Sequence, residues 1–124
     1  MLLDAGFLVS LDRGDAEAQE FLTAALRNQT LLSTTHPVVA QVWRDGARQV
    51  RLTRALTTIR VHPFDDGRAV GRLLAAAGTA DVVDAHLVVS AIARDEPILT
   101  SDLDDLEHLA ACLPHPGPRI LHWT

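Results

Sequence analysis

Residues 81–93 read DVVDAHLVVSAIA, with Val82, Val83, Ala85, Leu87, Val88, Val89, Ala91 and Ile92 spread so that a helix here is apolar on nearly every side. A helix of that kind belongs in the middle of a domain. Asp84 interrupts it. An unpaired ionised carboxylate in such surroundings costs several kcal/mol, so something must neutralise it.

Around this segment the chain alternates short apolar strands with amphipathic helices. A first strand is expected at 1–4, running into a turn at Ala5-Gly6. A helix follows over 14–28 on Ala18, Phe21, Leu22 and Ala25, then a strand at 31–34. Pro37 opens a helix carrying Val38, Val39, Val42 and Trp43, with Trp43 expected in the core. Further helices are expected at 47–57, 65–77, 81–93 and 103–112, and further strands at 58–62, 97–100 and 119–122, with a proline-rich loop at 113–118. This alternation predicts one α/β domain over residues 1–124, with a central, mostly parallel sheet flanked by helices. At 124 residues and 48% hydrophobic content, such a domain buries a core without disulfide or structural metal.

Composition removes several chemistries. All eleven basic residues are arginine, which excludes a Schiff-base lysine, a P-loop lysine and a phosphate-receiver lysine. The single Cys112 forms no internal disulfide or cysteine zinc cluster and reads as a small apolar residue of the last helix. No apolar run approaches the roughly 20 residues that span a bilayer, and MLLD puts an acid where a signal peptide carries positive charge. The expectation is a soluble, cytoplasmic protein. Ser33, Ser90 and Ser101 lie in no nucleophile-elbow sequence.

The acids are placed where a parallel sheet gathers its reactive groups, beyond the carboxyl ends of the strands. Asp4 ends the first strand, and Asp102 follows the strand at 97–100 by two residues. Asp81 with Asp84, and Asp102 with Asp105, share helical faces at i, i+3 spacing. Asp81, Asp102 and Asp105 also suit helix capping, which stands beside the functional reading. If Asp4, Asp84 and Asp102 converge within about 5 Å, each like-charge pair costs about 3 kcal/mol at an effective dielectric of 20, and the cluster needs a cation. Oxygen ligands without a cysteine cluster or paired histidines favour Mg²⁺ or Mn²⁺ over zinc. Such an ion typically serves phosphodiester hydrolysis.

Five arginines stand against Asp45 alone between residues 44 and 60. Arg44, Arg48 and Arg51 follow i, i+4, i+7 spacing, as one helical stripe for phosphate or partner contact, or as a solvated basic face. His36, His62, His86, His108, His115 and His122 have no partner at ligand or triad spacing and read as surface or loop residues.

Taken together, LLDAGFLVSLDRGD, DVVDAHLVVSA and LTSDLDDLEHLA resemble, in order and spacing, the PIN-domain family and in particular the VapC-type toxins of bacterial toxin–antitoxin pairs. The resemblance runs nearly end to end and implies a three-layer PIN-like fold. It gives Asp4 the first metal-binding position, Asp84 the main acid position with Asp81 accessory, and Asp102 the fourth acid position with Asp105 in support. One position departs: VVAQVWRDG is similar to a helix that usually supplies a glutamate, and this chain has Gln41. An amide keeps an oxygen acceptor and loses the charge, which lowers metal affinity unless Asp81 or Asp105 compensates.

The family implies a Mg²⁺- or Mn²⁺-dependent ribonuclease, often a homodimer, held inactive by a cognate antitoxin whose tail lies across the acidic site. Asp4, Asp84 and Asp102 would hold the ion and act on an RNA substrate, with Asp81 and Gln41 at the edge. A catalytically reduced or inactive binding module for antitoxin or RNA is the alternative. A metal-dependent phosphatase or DNA-directed nuclease on the same acids is a third.

Overall fold

A computed structural model describes residues 1–114 and 116–123. His115, and with it one residue of the expected 113–118 loop, lies outside the described residues. In chain order the elements are β1 (Leu2–Leu3), α1 (Ala5–Arg13), α2 (Ala16–Arg27), β2 (Ser33–Thr35), α3 (His36–Val42), α4 (Val50–Leu56), β3 (Arg60–His62), α5 (Gly67–Ala77), α6 (Val82–Arg94), β4 (Ile98–Thr100), α7 (Leu103–Ala111) and β5 (Ile120–His122). The strands form one sheet of order β3-β2-β1-β4-β5, and every pairing is parallel. Leu2 is in register with Ser33 on one side and Ile98 on the other. Helices cover both faces, so the architecture is the three-layer α/β arrangement expected from the sequence.

The strand order reverses at β1. Chain segments leave β1 toward β2 and β3 on one side and reach β4 and β5 on the other, which opens a crevice beyond the carboxyl ends of β1 and β4. Asp4 directly follows β1, and Asp102 follows β4 by two residues.

One helix departs from expectation. Ala5-Gly6 is not a turn but the first two residues of α1. The Asp4 carboxylate accepts from the Phe7 amide, and Phe7, Leu8 and Leu11 then fall on one buried face. Gly14 stops the helix in the left-handed region at φ 77°. A carboxylate cap and a core-facing stripe outweigh the modest cost of one glycine in the first turn.

The buried core is continuous from β1 through α1 to α6, where Ala85, Leu87, Val88 and Ala91 are sealed. Phe7, Phe21 and Trp123 pack edge to face, with ring centres 5.0–5.7 Å apart, tying α1 and α2 to the residue after β5. Trp43 is not in the core: it closes α3 at the surface and is 36% exposed. Two histidines expected at the surface are buried, His86 completely and His62 with 6% exposure. His86 lies under the Phe64 ring at 4.7 Å, and its Nε2 meets both Ser90 Oγ at 3.3 Å and Asp65 Oδ1 at 3.4 Å. Because one nitrogen faces both groups, this is not a triad relay, which uses the two ring nitrogens separately.

Candidate functional site

Asp4 is the anchor of the carboxyl edge. It is 6% exposed, and its carboxylate accepts three hydrogen bonds: Oδ1 from the Phe7 amide at 2.9 Å, Oδ2 from the Thr100 hydroxyl at 2.7 Å and from the Ser101 amide at 3.0 Å. A carboxylate offers about four lone-pair sites, so one remains, on Oδ1. The same bonds that hold Asp4 rigid allow it a single further contact.

Thr100 and Ser101 are the residues of the candidate site that sequence reading missed. The Thr100 hydroxyl donates to Asp4 and accepts the Asp102 amide at 2.8 Å, linking the acid after β1 to the acid after β4. Gly6 leaves room for Ser101: a Cβ at position 6 would lie 1.8 Å from Ser101 Oγ and 2.9 Å from its Cβ. The available signal was the pair Thr100-Ser101 standing between an apolar strand and Asp102, at the end of a strand adjacent to β1.

Asp81 caps α6, accepting the Asp84 amide at 3.0 Å, so the capping reading holds for it. Asp102 stands at the corresponding position of α7 and makes no side-chain cap bond of the kind Asp81 makes, but its carboxylate hydrogen-bonds with Asp105 of the same helix. Asp84 sits in the first turn of α6, partly rather than fully buried. Burial first, then Asp81, Asp102 and Asp105, push its carboxyl up to about 7. Hydrogen bonding with Asp105, with the charge of Asp4 as a smaller contribution, also raises Asp102. Asp4, Asp81, Asp84, Asp102 and Asp105 thus share one electrostatic neighbourhood at the crevice. No arginine or histidine pairs with any of them among the described residues.

The donor set fits a hard divalent cation in kind: oxygen only, several negative charges and no internal countercharge. Its geometry is looser than a closed site, since no three acidic, histidine or cysteine side chains converge at metal-ligand spacing among the described residues. Gln41 lies in the last turn of α3, exposed, and no hydrogen bond ties it to the acids among the described residues.

The arginine stripe does not form. α3 ends at Val42 and α4 begins at Val50, so Arg44 and Arg48 fall in the connection between them. Arg44 bonds the Ala40 and Trp43 carbonyls, Arg48 makes an exposed pair with Asp45 at 3.7 Å, and Arg51 on α4 lies against Gly14. The Gln49 side chain causes the break: its amide oxygen accepts from the Arg44 and Asp45 amides, and its nitrogen donates to the Val42 carbonyl and to Asp12. These bonds satisfy the backbone in a turn that helical periodicity reads through.

No protein-family model matches the chain, and no curated protein matches it. Solved structures do. A chain in the crystal structure of VapBC2 from Rickettsia felis bound to a DNA fragment from their promoter superposes with a TM-score of 0.75 at 15% identity, covering 99% of this chain and 98% of that one. The crystal structure of PAE2754 from Pyrobaculum aerophilum superposes with a TM-score of 0.63 at 18% identity, covering 93% of this chain and 86% of that one. The chain has the fold of these structures, the three-layer PIN-like fold that its own motifs imply.

Proposed function

We propose that the chain is a Mg²⁺- or Mn²⁺-dependent endoribonuclease, the toxin component of a bacterial toxin–antitoxin pair. What supports this reading is the placement of acids at the switch point of the sheet, after β1 and β4 and at the starts of α6 and α7, near enough to raise one another's proton affinity and with no basic partner among the described residues. The likeness to a chain of VapBC2 supports an antitoxin partner. Asp4, Asp84 and Asp102 would hold the ion, Asp4 through its one free lone pair, with Asp81 and Asp105 adding negative charge. A bound Mg²⁺ or Mn²⁺ supplies activation of water toward the phosphodiester and charge at the leaving oxygen. Asp4 contributes rigidity, because its three hydrogen bonds fix the carboxylate before any ion arrives. Thr100 and the Ser101 amide keep it aimed.

Purified protein should cleave RNA on addition of Mn²⁺ or Mg²⁺, and Asp4→Asn or Asp84→Asn should abolish cleavage. Equal cleavage by all three proteins would remove the assignment.

Two observations favour a second reading, a binding module with reduced turnover: Gln41 stands where a glutamate is usual, and the acids are spaced more widely than a closed ion site. Calorimetry with Mn²⁺ on Gln41→Glu separates the two. Tighter binding together with newly acquired cleavage supports the reduced site, whereas unchanged cleavage by an already active protein supports compensation by Asp81 or Asp105.

A further inference from the structure

A cleft of about 630 Å³ opens at the opposite, amino edge of the sheet, beside the residues that enter β2, β3 and β4. Leu31 and Leu32 form an apolar wall, and Leu31 is 82% exposed, the most exposed large apolar side chain among the described residues. Arg60, His62, Arg94 and Glu96 line the rest. A volume of this size suits a small organic ligand.

The polar side of the cleft is built rather than incidental. His62 is more than nine-tenths buried, yet its Nε2 has no hydrogen-bond partner among the described residues, although Glu96 Oε2 lies 3.4 Å away. Glu96 Oε2 has that long contact to the imidazole and no other partner among the described residues, while its Oε1 accepts from the Ser33 hydroxyl and from the N-terminal ammonium. Burial first, then the charge of Arg94 and, more weakly, that of Arg60 lower the imidazole's proton affinity, against Glu96, which raises it. Arg60 makes no ion pair among the described residues, and Arg94 has only a 3.5 Å contact to the half-exposed Asp65. Two underused guanidiniums around an under-bonded imidazole, facing an exposed leucine wall, make a site for an anion carrying an apolar or ring-bearing body.

We propose that this cleft binds a small phosphorylated ligand of mononucleotide size, its phosphate between Arg60 and Arg94 beside His62 and its body against Leu31 and Leu32. A phosphate matches two guanidiniums in charge and in bidentate geometry better than a carboxylate does, because it presents three acceptor oxygens. The site is separated from the acidic crevice by the length of the strands, so it stands or falls independently of nuclease activity.

The test is an NMR titration of ¹⁵N-labelled protein with adenosine 5′-monophosphate, inorganic phosphate and adenosine. Saturable shifts at Leu31, Arg60, His62 and Arg94 are expected with the monophosphate, with weaker binding of inorganic phosphate at the same residues and weakest binding of adenosine. Arg60→Ala and Arg94→Gln, both changes of exposed side chains, should each weaken monophosphate binding about tenfold. The ratio of monophosphate to inorganic phosphate affinity reads the part played by the leucine wall, and a ratio of one removes that part of the proposal. Absence of saturable shifts, shifts confined to the Arg44–Arg54 surface, or adenosine binding as tightly as its monophosphate would overturn it.

Discussion

Thr100 is the residue on which the acidic crevice turns. Its hydroxyl is a donor to Asp4 and an acceptor for the Asp102 amide, so Thr100→Val strips one bond from each acid and leaves a buried oxygen and an amide short of a partner. A loss of about 1–3 kcal/mol is expected in urea unfolding. Metal affinity should fall with it, read by calorimetry. Asp84 gives a pH dependence of definite sign. Its carboxyl holds a proton up to about 7 in the folded protein against an ordinary 3.8, so the folded state binds that proton more tightly than the unfolded chain. The associated stability is fully present below about pH 4 and disappears as pH rises through about 7. In metal-free buffer the melting temperature should carry this decline, Asp84→Asn should flatten it, and Mg²⁺ should offset it at the alkaline end. Because Asp84 titrates with its neighbours, the midpoint belongs to the cluster as a whole.

Among the elements, α1 shows how one residue does two jobs. The Asp4 carboxylate that caps the helix is also the candidate first ligand, so the helix start and the site are fixed by the same hydrogen bonds. At the other end Gly14 takes φ 77° and lies beneath the Arg51 guanidinium, where an added Cβ would come within 2.8 Å of Nε. Gly14→Ala should therefore cost about 1–3 kcal/mol, measured by thermal or urea unfolding, while Arg51→Ala in the same background relieves only the crowding part. Arg44, Arg48 and Arg51 read from sequence as one helical stripe because arginine spacing carries no information about a turn. Gln49, which bonds three backbone groups across that turn and reaches Asp12 of α1, carried the missing information, and side-chain bonds of this kind leave no periodic signal in the sequence.

At the scale of the molecule, α6 is the central beam, packed against α5, α7, α3 and β4. Leu87 is completely buried in it. Leu87→Ala should cost about 2–5 kcal/mol, and the same substitution should loosen the acidic crevice, since Asp84 rides on the first turn of the same helix. A drop in stability with unchanged Mn²⁺ affinity would show that the crevice is held from β1 and β4 alone. The two proposed sites lie at opposite edges of the parallel sheet: the acids beyond the carboxyl ends of β1 and β4, and Arg60 and Arg94, with Glu96, beside the starts of β3 and β4. The strands separate them, so ligands at the two edges need not compete.

By itself the sequence determined the strand–helix alternation, the central place of residues 81–93 and the identity of the acids, because periodicity and local spacing are properties of short segments. Tertiary structure decided the rest. Parallel pairing of β1 with β4 brings Thr100 and Ser101 to Asp4 and Gly6 across nearly the whole chain, and packing of distant elements buries His62 and His86. Each of those outcomes depends on which distant backbone group is near enough to bond, and no local pattern encodes that distance.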